Sequence, residues 1–334
     1  MKRLTVLMPV FNVEAYVVEA INSVLSQTYS DFDLLIIDDC STDNTEKAVK
    51  TVCDNRIRYI RNESNLGLAE NLNKGISLID TELIARMDGD DISDPALFEK
   101  QIAVLDQNPE IGICSTSFRF FGTKNYSVKF PEFHDDVLAE MLFGNAVIVP
   151  MFRSRIFKQN DIKYSTTAFP AEDYMVWAEC VRYTKIYNLQ QELFFYRTHA
   201  TQISTEKRLL QIEKTNNVRL YMLGFLNPDI DSDTANRFLQ NLFDANFKSN
   251  EDINNYLLLS KELIYQNEKY SRFSKASLIK CMDRHFYNLI YNYVLNKYFS
   301  SGFSINSFFK YMHSGLFKHM PIKRSARFLF KSLS

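Results

Sequence analysis

Residues 83–91 read Leu-Ile-Ala-Arg-Met-Asp-Gly-Asp-Asp, an apolar run that ends in three carboxylates around one glycine. A short apolar run bounded by turn residues predicts a buried strand over Leu83–Met87. Carboxylate oxygens suit Mg²⁺ or Mn²⁺, particularly an ion shared with the phosphates of a substrate. Taken alone, Asp88, Asp90 and Asp91 also fit an acidic turn that caps a helix. The stretch therefore predicts a buried strand that ends in either a metal site or a capping turn.

The same kind of strand recurs on both sides of this stretch. Short apolar runs predict strands over 4–8, 32–37, 57–60, 83–87 and 111–118. Between them, helical patterns cover 14–27, 45–52, 68–78 and 94–106. This alternation predicts an α/β fold, a mostly parallel sheet with helices on both faces. Because such sheets bind ligands at the carboxyl ends of their strands, the polar clusters at 9–12, 38–45 and 88–91 should converge on one crevice.

The pattern changes in the second half of the chain. Helices are predicted over 135–143 and 173–183, and extended segments over 146–152 and 186–196. From about residue 205 every segment reads as helix, namely 206–224, 233–247, 251–267 and 275–299, followed by a basic tail. We therefore predict an α/β domain over 1–205 and a mostly α-helical C-terminal region over 206–334.

Charge is unevenly distributed along the 334 residues, although 39 Lys and Arg nearly balance 40 Asp and Glu. No acidic residue follows Asp283, whereas eight Lys and Arg do, among many aromatic and aliphatic side chains. A basic, apolar, helical tail predicts contact with an anionic membrane surface. Alternatively, the tail packs its aromatic side chains onto its own domain. Nucleic acid is not expected as a partner, because no nucleic-acid-binding motif accompanies the charges.

Composition and missing motifs exclude several classes of protein. The 46% hydrophobic and 24% charged content is typical of a soluble globular protein. Five scattered cysteines have neither zinc-ligand nor disulfide-framework spacing. The absence of an apolar run of about 18 residues and of a signal-peptide pattern predicts a cytoplasmic protein, peripheral on the inner membrane face if the tail binds lipid. P-loop, nucleophile-elbow and zinc-protease motifs are also missing.

Six ordered motifs carry a resemblance to a known family. They are Val6–Asn12 with Glu14; Ile37–Thr45; Asn65 with Gly67, Ala69, Asn71 and Gly75; Ala85–Asp91; Ala171–Tyr174; and Tyr196-Arg197-x-His199 with Ser204. Together they resemble the inverting, nucleotide-sugar-dependent glycosyltransferases of GT-A fold, usually called family 2. The resemblance covers about residues 4–205 and implies a GT-A fold, a Rossmann-like nucleotide-diphospho-sugar transferase sheet.

The resemblance also implies roles for individual residues. Asp173 would be the catalytic base, and Asp90 with His199 would hold the metal. The nucleotide-sugar donor would be bound by Pro9, Phe11, Glu14, Asp39, Asn65, Arg86, Asp88 and Glu172. Two pairs of adjacent acidic residues also have a structural interpretation. Glu172-Asp173 fits a helix cap, and Asp38-Asp39 fits a strand-end turn.

The implied activity is transfer of a hexose or N-acetylhexosamine from a nucleotide-diphosphate sugar, with UDP favoured, to a hydroxyl of a glycan or lipid-linked glycan. Mn²⁺ or Mg²⁺ would be the cofactor, and the product a surface polysaccharide, lipopolysaccharide or capsule. The aromatic C-terminal helices could also form a homodimer. Two alternatives stay open: a nucleotidyltransferase on a similar sheet, and a non-catalytic sugar-nucleotide-binding or membrane scaffold protein.

Overall fold

The computed structural model describes residues 2–199, 207–242, 247 and 249–333, so Ser204 of the last motif lies outside the described residues. The chain divides into two compact units, Met1–Arg219 and Leu220–Ser334. The boundary expected at 205 falls among the residues that are not described, and it stays a prediction.

Nine strands and thirteen α-helices are described. The strands are β1 Leu4–Val10, β2 Phe32–Asp38, β3 Ile57–Arg61, β4 Leu83–Arg86, β5 Ile92–Ser93, β6 Ile111–Gly122, β7 Ser127–Val128, β8 Met151–Arg153 and β9 Lys185–Thr198. The helices of the first unit are α1 Val17–Leu25, α2 Thr45–Lys50, α3 Leu68–Leu78, α4 Leu97–Gln107, α5 His134–Glu140, α6 Ser154–Asn160 and α7 Glu172–Cys180. They are followed by α8 Arg208–Leu226, α9 Ser232–Leu242, α10 Asn250–Tyr270, α11 Lys275–Tyr298, α12 Ile305–His313 and α13 Ile322–Leu333.

One sheet contains all nine strands, in the order β3-β2-β1-β4-β8-β6-β9-β5, with β7 paired to β6. The first four strands are parallel, as predicted, so their carboxyl ends share one edge. Beyond β4 the sheet is mixed, because β8 is antiparallel to both β4 and β6 whereas β6 and β9 are parallel. The expectation of a mostly parallel sheet is therefore correct only for the first half.

The apolar runs form the core of the first unit. All seven residues of β1 are buried, as are Leu34, Ile36 and Leu83 in the neighbouring strands. Helix α1 covers one face of the sheet with a stripe of buried apolar residues: Val17, Ala20, Ile21 and Val24. This spacing matches one side of a helix, which is why the helix is bound to the sheet along that side.

Some predicted elements differ from the observed ones. The extended segment predicted over 146–152 forms a strand only at Met151–Arg153, because Val149 adopts a left-handed backbone conformation with φ of 44°. Helix α1 begins at Val17 rather than at residue 14. The helix predicted over 233–247 is observed over Ser232–Leu242, and residues 243–246 of the prediction lie outside the described residues.

The second unit is helical throughout its described part. Its basic C-terminal segment packs several aromatic side chains inward, as one of the two interpretations predicted. Phe328 of α13 is buried and stacks on Phe299, with ring centroids 4.7 Å apart, and Tyr311 of α12 is buried beside it. None of the described helices is long and apolar enough to span a bilayer.

Candidate active site

Side-chain hydrogen bonds join the segments that follow β1 and β2. The amide of Asn12 donates to Oγ of Ser41 at 3.0 Å, and the amide of Thr42 donates to Oδ1 of Asn12 at 2.8 Å. The amide of Val13 donates to Oγ1 of Thr45 at 2.8 Å. Asn12 has a φ of 51°, a conformation that asparagine tolerates better than most residues. The polar clusters at 9–12 and 38–45 therefore form one structure, as predicted.

Glu14 fixes the turn in front of α2. Its Oε2 accepts hydrogen bonds from the amide of Asn44 at 2.7 Å and from the Asn44 side chain at 2.8 Å. Phe11, three residues earlier than Glu14, is 45% exposed, whereas Pro9 is buried within β1. Of these three expected nucleotide-binding residues, Phe11 is the one that presents a largely open apolar side chain.

The carboxylate of Asp39 is buried and holds the segment before α3. It accepts hydrogen bonds from the amides of Leu66 at 2.7 Å and Gly67 at 2.8 Å, and from the side chain of Asn62 at 3.0 Å. Gly67 has a φ of 85°, which favours glycine. Asn65, also expected at the donor site, donates from its side-chain amide to the Asp39 carbonyl at 3.3 Å.

Asp38 stabilises the turn at the end of β2, which was one of the two interpretations of the Asp38-Asp39 pair. Its Oδ1 accepts from the amide of Ser41 at 2.8 Å, and its Oδ2 accepts from the hydroxyl of Tyr59 at 2.5 Å. Both oxygens are therefore engaged at the strand end.

The acidic turn after β4 touches the end of β1. A Cβ atom on Gly89 would lie 2.7 Å from Cγ1 of Val10 and 3.3 Å from Cγ2 of Val13, so only glycine fits without displacement. All three polar clusters thus meet at the carboxyl edge of the parallel strands, which confirms the predicted convergence.

The last strand reaches back to this turn. Nε2 of His199 lies 3.1 Å from Oδ2 of Asp90. Two residues earlier, the Arg197 amide donates to Oδ1 of the buried Asp91 at 2.7 Å, and Nε of Arg197 donates to the Asp90 carbonyl at 2.7 Å. Burial and the nearby Asp90 and Asp88 raise the pKa of Asp91 well above its ordinary value. Arg197 therefore holds the backbone that brings Asp90 to His199.

Arg86 joins two of the expected site carboxylates. Its Nη1 donates to Oδ2 of Asp173, and its Nη2 donates to Oδ1 of Asp88 at 3.0 Å. Although burial acts to lower the pKa of Arg86, the charges of Asp173 and Asp88 raise it above the ordinary value. Burial raises the pKa of Asp88, and the nearby Asp90 and Asp173 act in the same direction. A permanently charged guanidinium is thus held between two acids.

Glu172 and Asp173 lie in the first turn of α7, after Ala171 at the N-cap. The N-cap residue Ala171 makes no capping side-chain hydrogen bond, whereas the Glu172 carboxyl accepts one from its own backbone amide, so the capping interpretation stays open. Burial, together with the adjacent Asp173, raises the pKa of Glu172 to about 8. Glu172 therefore holds its proton more tightly than an exposed glutamic acid does.

The structure thus arranges the expected residues in three groups. Asn65, Asp39 and Glu14 lie around the first two strand ends; Arg86, Asp88, Glu172 and Asp173 form a second group; and Asp90 pairs with His199. Two contributors were not singled out from the sequence. Arg197 stands inside a quoted motif, whereas Tyr164, whose phenol faces the second group, has no motif that could have identified it.

The sequence is similar to that of known glycosyltransferases. The profile of glycosyl transferase family 2 matches residues 5–170. The chain is 33% identical over 223 residues to the O-antigen biosynthesis glycosyltransferase WbnJ of Escherichia coli, covering 62% of this chain and 83% of that protein.

Two solved structures are similar in fold. S. aureus TarS 1-349 in complex with UDP-GlcNAc matches with a TM-score of 0.59 and 17% identity, over 89% of this chain and 92% of that one. The mannosyltransferase PcManGT of Pyrobaculum calidifontis, in complex with GDP-Man and Mn²⁺, matches with a TM-score of 0.52 and 13% identity, over 89% and 88%. These likenesses concern the fold alone, and they confirm the predicted sheet with its helical C-terminal region.

Proposed function

The chain belongs to glycosyl transferase family 2, and from that premise we propose that it moves a hexose or N-acetylhexosamine from a UDP-sugar to a hydroxyl of a glycan, with inversion. One observation carries the proposal. Arg86, Asp88 and Asp173 form one charged group at the carboxyl edge of the parallel strands, where Asp90 also meets His199. This edge is where sheets of this kind bind nucleotides.

The donor would lie across the ends of β1 and β2. In the proposal the exposed ring of Phe11 contacts the base, and Pro9, Glu14, Asp39 and Asn65 shape the pocket. TarS, which shares the fold, was solved in complex with UDP-GlcNAc, and this supports a uridine donor. The GDP-Man of PcManGT is the competing choice, so the base must be tested directly.

A divalent ion fits the pair formed by Asp90 and His199. Their facing oxygen and nitrogen atoms lie 3.1 Å apart, close to the ~3 Å edge of an octahedron with bonds of ~2.1 Å. Asp90 and His199 would hold the ion, and the Asp90 carboxylate is the kind of ligand that Mn²⁺ and Mg²⁺ prefer. The ion would neutralise negative charge on the departing diphosphate.

Asp173 is the proposed general base. The acceptor hydroxyl would transfer its proton to the carboxylate of Asp173. The acceptor oxygen then forms a bond to the anomeric carbon while the bond from that carbon to the diphosphate oxygen breaks. Because a single carboxylate serves the acceptor side, the displacement is in line and inverts the configuration.

The acceptor is proposed to be a glycan, free or lipid-linked, in the synthesis of a surface polysaccharide such as a lipopolysaccharide or capsule. The support is the relative WbnJ, a glycosyltransferase of O-antigen biosynthesis. In this proposal residues 1–205 form the catalytic domain and 206–334 an accessory helical region.

We further propose that the helical region rests on an anionic membrane surface at the cytoplasmic face. Helix α13 buries Phe328 on one side. Its other side carries three exposed cations at helical spacing, Lys323, Arg327 and Lys331. Beside them lie two exposed apolar residues seven positions apart, Ile322 (87% exposed) and Leu329 (36% exposed). A helix that exposes adjoining basic and apolar rows is typical of an interfacial anchor.

Vesicle sedimentation tests the membrane proposal. The protein should bind phosphatidylglycerol vesicles at low salt, and the triple variant Lys323→Gln, Arg327→Gln, Lys331→Gln should lose most of this binding. The control removes three exposed cations of the first unit, Lys124, Lys129 and Arg155, and should bind as the wild type. Equal binding by both variants would refute the anchor, and a stable dimer that ignores vesicles would assign the apolar row to self-association.

Calorimetric titration tests the active site. UDP, GDP and TDP are each titrated with and without Mn²⁺, into the wild type and Asp90→Ala. We expect Mn²⁺-dependent binding of UDP that is lost in the variant. Binding of GDP or TDP instead would change the donor, and failure of all three would favour a scaffold protein. Release of diphosphate from a nucleoside triphosphate would indicate a nucleotidyltransferase.

A further inference from the structure

Buried polar atoms without partners are concentrated around Arg86. Four buried side-chain atoms of this one group lack a hydrogen-bond partner among the described residues. They are Nε of Arg86, the hydroxyl of Tyr164, Oε2 of Glu172 and Oδ1 of Asp173. Such atoms are unfavourable in a folded protein, and a cluster of them therefore requires an explanation.

The backbone and the ring of Tyr164 are fixed by hydrogen bonds and packing, whereas its hydroxyl has no hydrogen-bond partner among the described residues. Its backbone amide donates to the side chain of Asn73 at 2.8 Å, and its carbonyl accepts from the same side chain at 2.9 Å. The ring packs against Phe157 and Trp177, with centroids 6.1 and 6.0 Å away. A phenylalanine would keep all of these contacts and would bury no unpaired oxygen. Packing therefore does not account for the hydroxyl.

The phenol remains a hydrogen-bond donor. Burial raises the pKa of Tyr164 well above its ordinary value, Asp173 raises it further, and Arg86 only partly opposes them. A protonated phenol can donate to a carboxylate, and Asp173 has one oxygen without a partner among the described residues. The other ionisable groups that act on this phenol or on its neighbours are Cys180, Glu172 and Asp88.

We propose that Tyr164 is a positioning residue for the base: when the diphosphate of a bound donor draws Arg86 away from Asp173, the Tyr164 hydroxyl donates a hydrogen bond to that carboxylate. The bond keeps the carboxylate ionised and aimed at the acceptor hydroxyl while its other oxygen takes the proton. This inference rests on the proposed role of Asp173. It gives an otherwise unfavourable buried hydroxyl a use in the reaction.

The test compares Tyr164→Phe with Tyr187→Phe. Tyr187 has a partnered hydroxyl, which donates to Glu132 at 2.6 Å. We expect Tyr164→Phe to lower kcat about ten- to a hundredfold, as loss of a hydrogen bond to a charged group would, and to leave the donor KM within about twofold. The acidic limb of the kcat–pH profile should move to higher pH. Tyr187→Phe should leave kcat and the pH profile unchanged.

Thermal unfolding provides the second readout. Removal of an unpaired buried hydroxyl should leave the Tm of Tyr164→Phe equal to or above that of the wild type, whereas Tyr187→Phe should lower it. Wild-type kcat and pH profile in Tyr164→Phe would overturn the proposal. Asp173→Asn separates this outcome from a failure of the proposed function: an active Asp173→Asn refutes the base itself, whereas an inactive one leaves only Tyr164 in question.

Discussion

The backbone amide of Arg197 donates a hydrogen bond of 2.7 Å to Oδ1 of Asp91, 106 residues earlier in the chain. The same arginine donates to the Asp90 carbonyl, and its Nη2 donates to Glu19 at 2.6 Å. The acidic turn, the first helix and the last strand are therefore joined through one side chain. Replacement of that side chain should disturb the proposed metal pair without removing either ligand.

We predict that Arg197→Lys weakens Mn²⁺-dependent binding of UDP about tenfold. Lysine keeps the charge but cannot make two directed bonds from one planar group. The measurement is the UDP titration at several Mn²⁺ concentrations, in which higher Mn²⁺ should partly restore binding. The control, Arg119→Lys, changes an arginine of the same sheet that pairs only with Asn125 in the described contacts and should bind as the wild type. Equal affinities for both variants would refute this role.

Removal of the buried guanidinium should strongly destabilise the protein. Arg86→Met leaves Asp88 and Asp173 without their cation, and we expect the free energy of unfolding to fall by about 3 kcal/mol. Arg3 is a matched control, because it also bridges two carboxylates, Glu82 and Asp106, but its side chain is 33% exposed rather than 9%. Arg3→Met should cost less than about 1 kcal/mol in urea unfolding. Similar losses in the two variants would contradict the effect of burial.

Stability should depend on pH through Glu172. Its pKa is about 8 in the folded protein and about 4.3 in an unfolded chain, so the folded state binds the proton more tightly. This contribution is complete below about pH 4.3 and is lost as the pH rises through 8. Glu172→Gln should therefore gain stability over the wild type between pH 5 and pH 8, measured by urea unfolding. Glu70→Gln, at an exposed position of α3, should show no such trend; a constant difference for Glu172→Gln would refute the shift.

The contact between the acidic turn and β1 should not tolerate a methyl group. In Gly89→Ala the new Cβ would lie 2.7 Å from Val10, a short and stiff side chain, so we expect a loss of about 1–3 kcal/mol and weaker UDP binding. At Gly144 an added Cβ meets nothing within 4 Å. Gly144→Ala should be close to neutral, and equal effects at both positions would show that the close approach is unimportant.

Sequence patterns predicted the first half of the sheet well because continuous apolar runs lead directly to buried parallel strands. Predicted strands 4–8 and 32–37 correspond to Leu4–Val10 and Phe32–Asp38. The start of α1 was missed for a tertiary reason: the amides of Val13 and Glu14 are bound by Thr45 and Asp43, which hold that segment as a turn. Local patterns do not contain such distant partners.

The residues of the candidate site were likewise only partly predictable from the sequence. Motifs identified Asp90, Asp173 and His199, and the fold brings Asp90 and His199 together. The two-residue strand β5 and the bridge from Arg86 to Asp173 depend on pairings 87 or more residues apart in the chain, which no periodicity reveals. Tyr164 is the clearest example of a residue that the sequence could not identify. Only the three-dimensional structure shows that its hydroxyl lies beside the charged group around Arg86.

Strand β9 lies between β6 and β5, so the final motif completes a structure that begins more than a hundred residues earlier. During synthesis, the loops after β1, β2 and β4 can meet before β9 has left the ribosome, whereas His199 can join Asp90 only afterwards. Pairing over so long a loop is also slow. A nascent chain halted at residue 184 should therefore have the loops after β1, β2 and β4 in place but lack the proposed metal pair, which Mn²⁺ titration of the stalled product would measure.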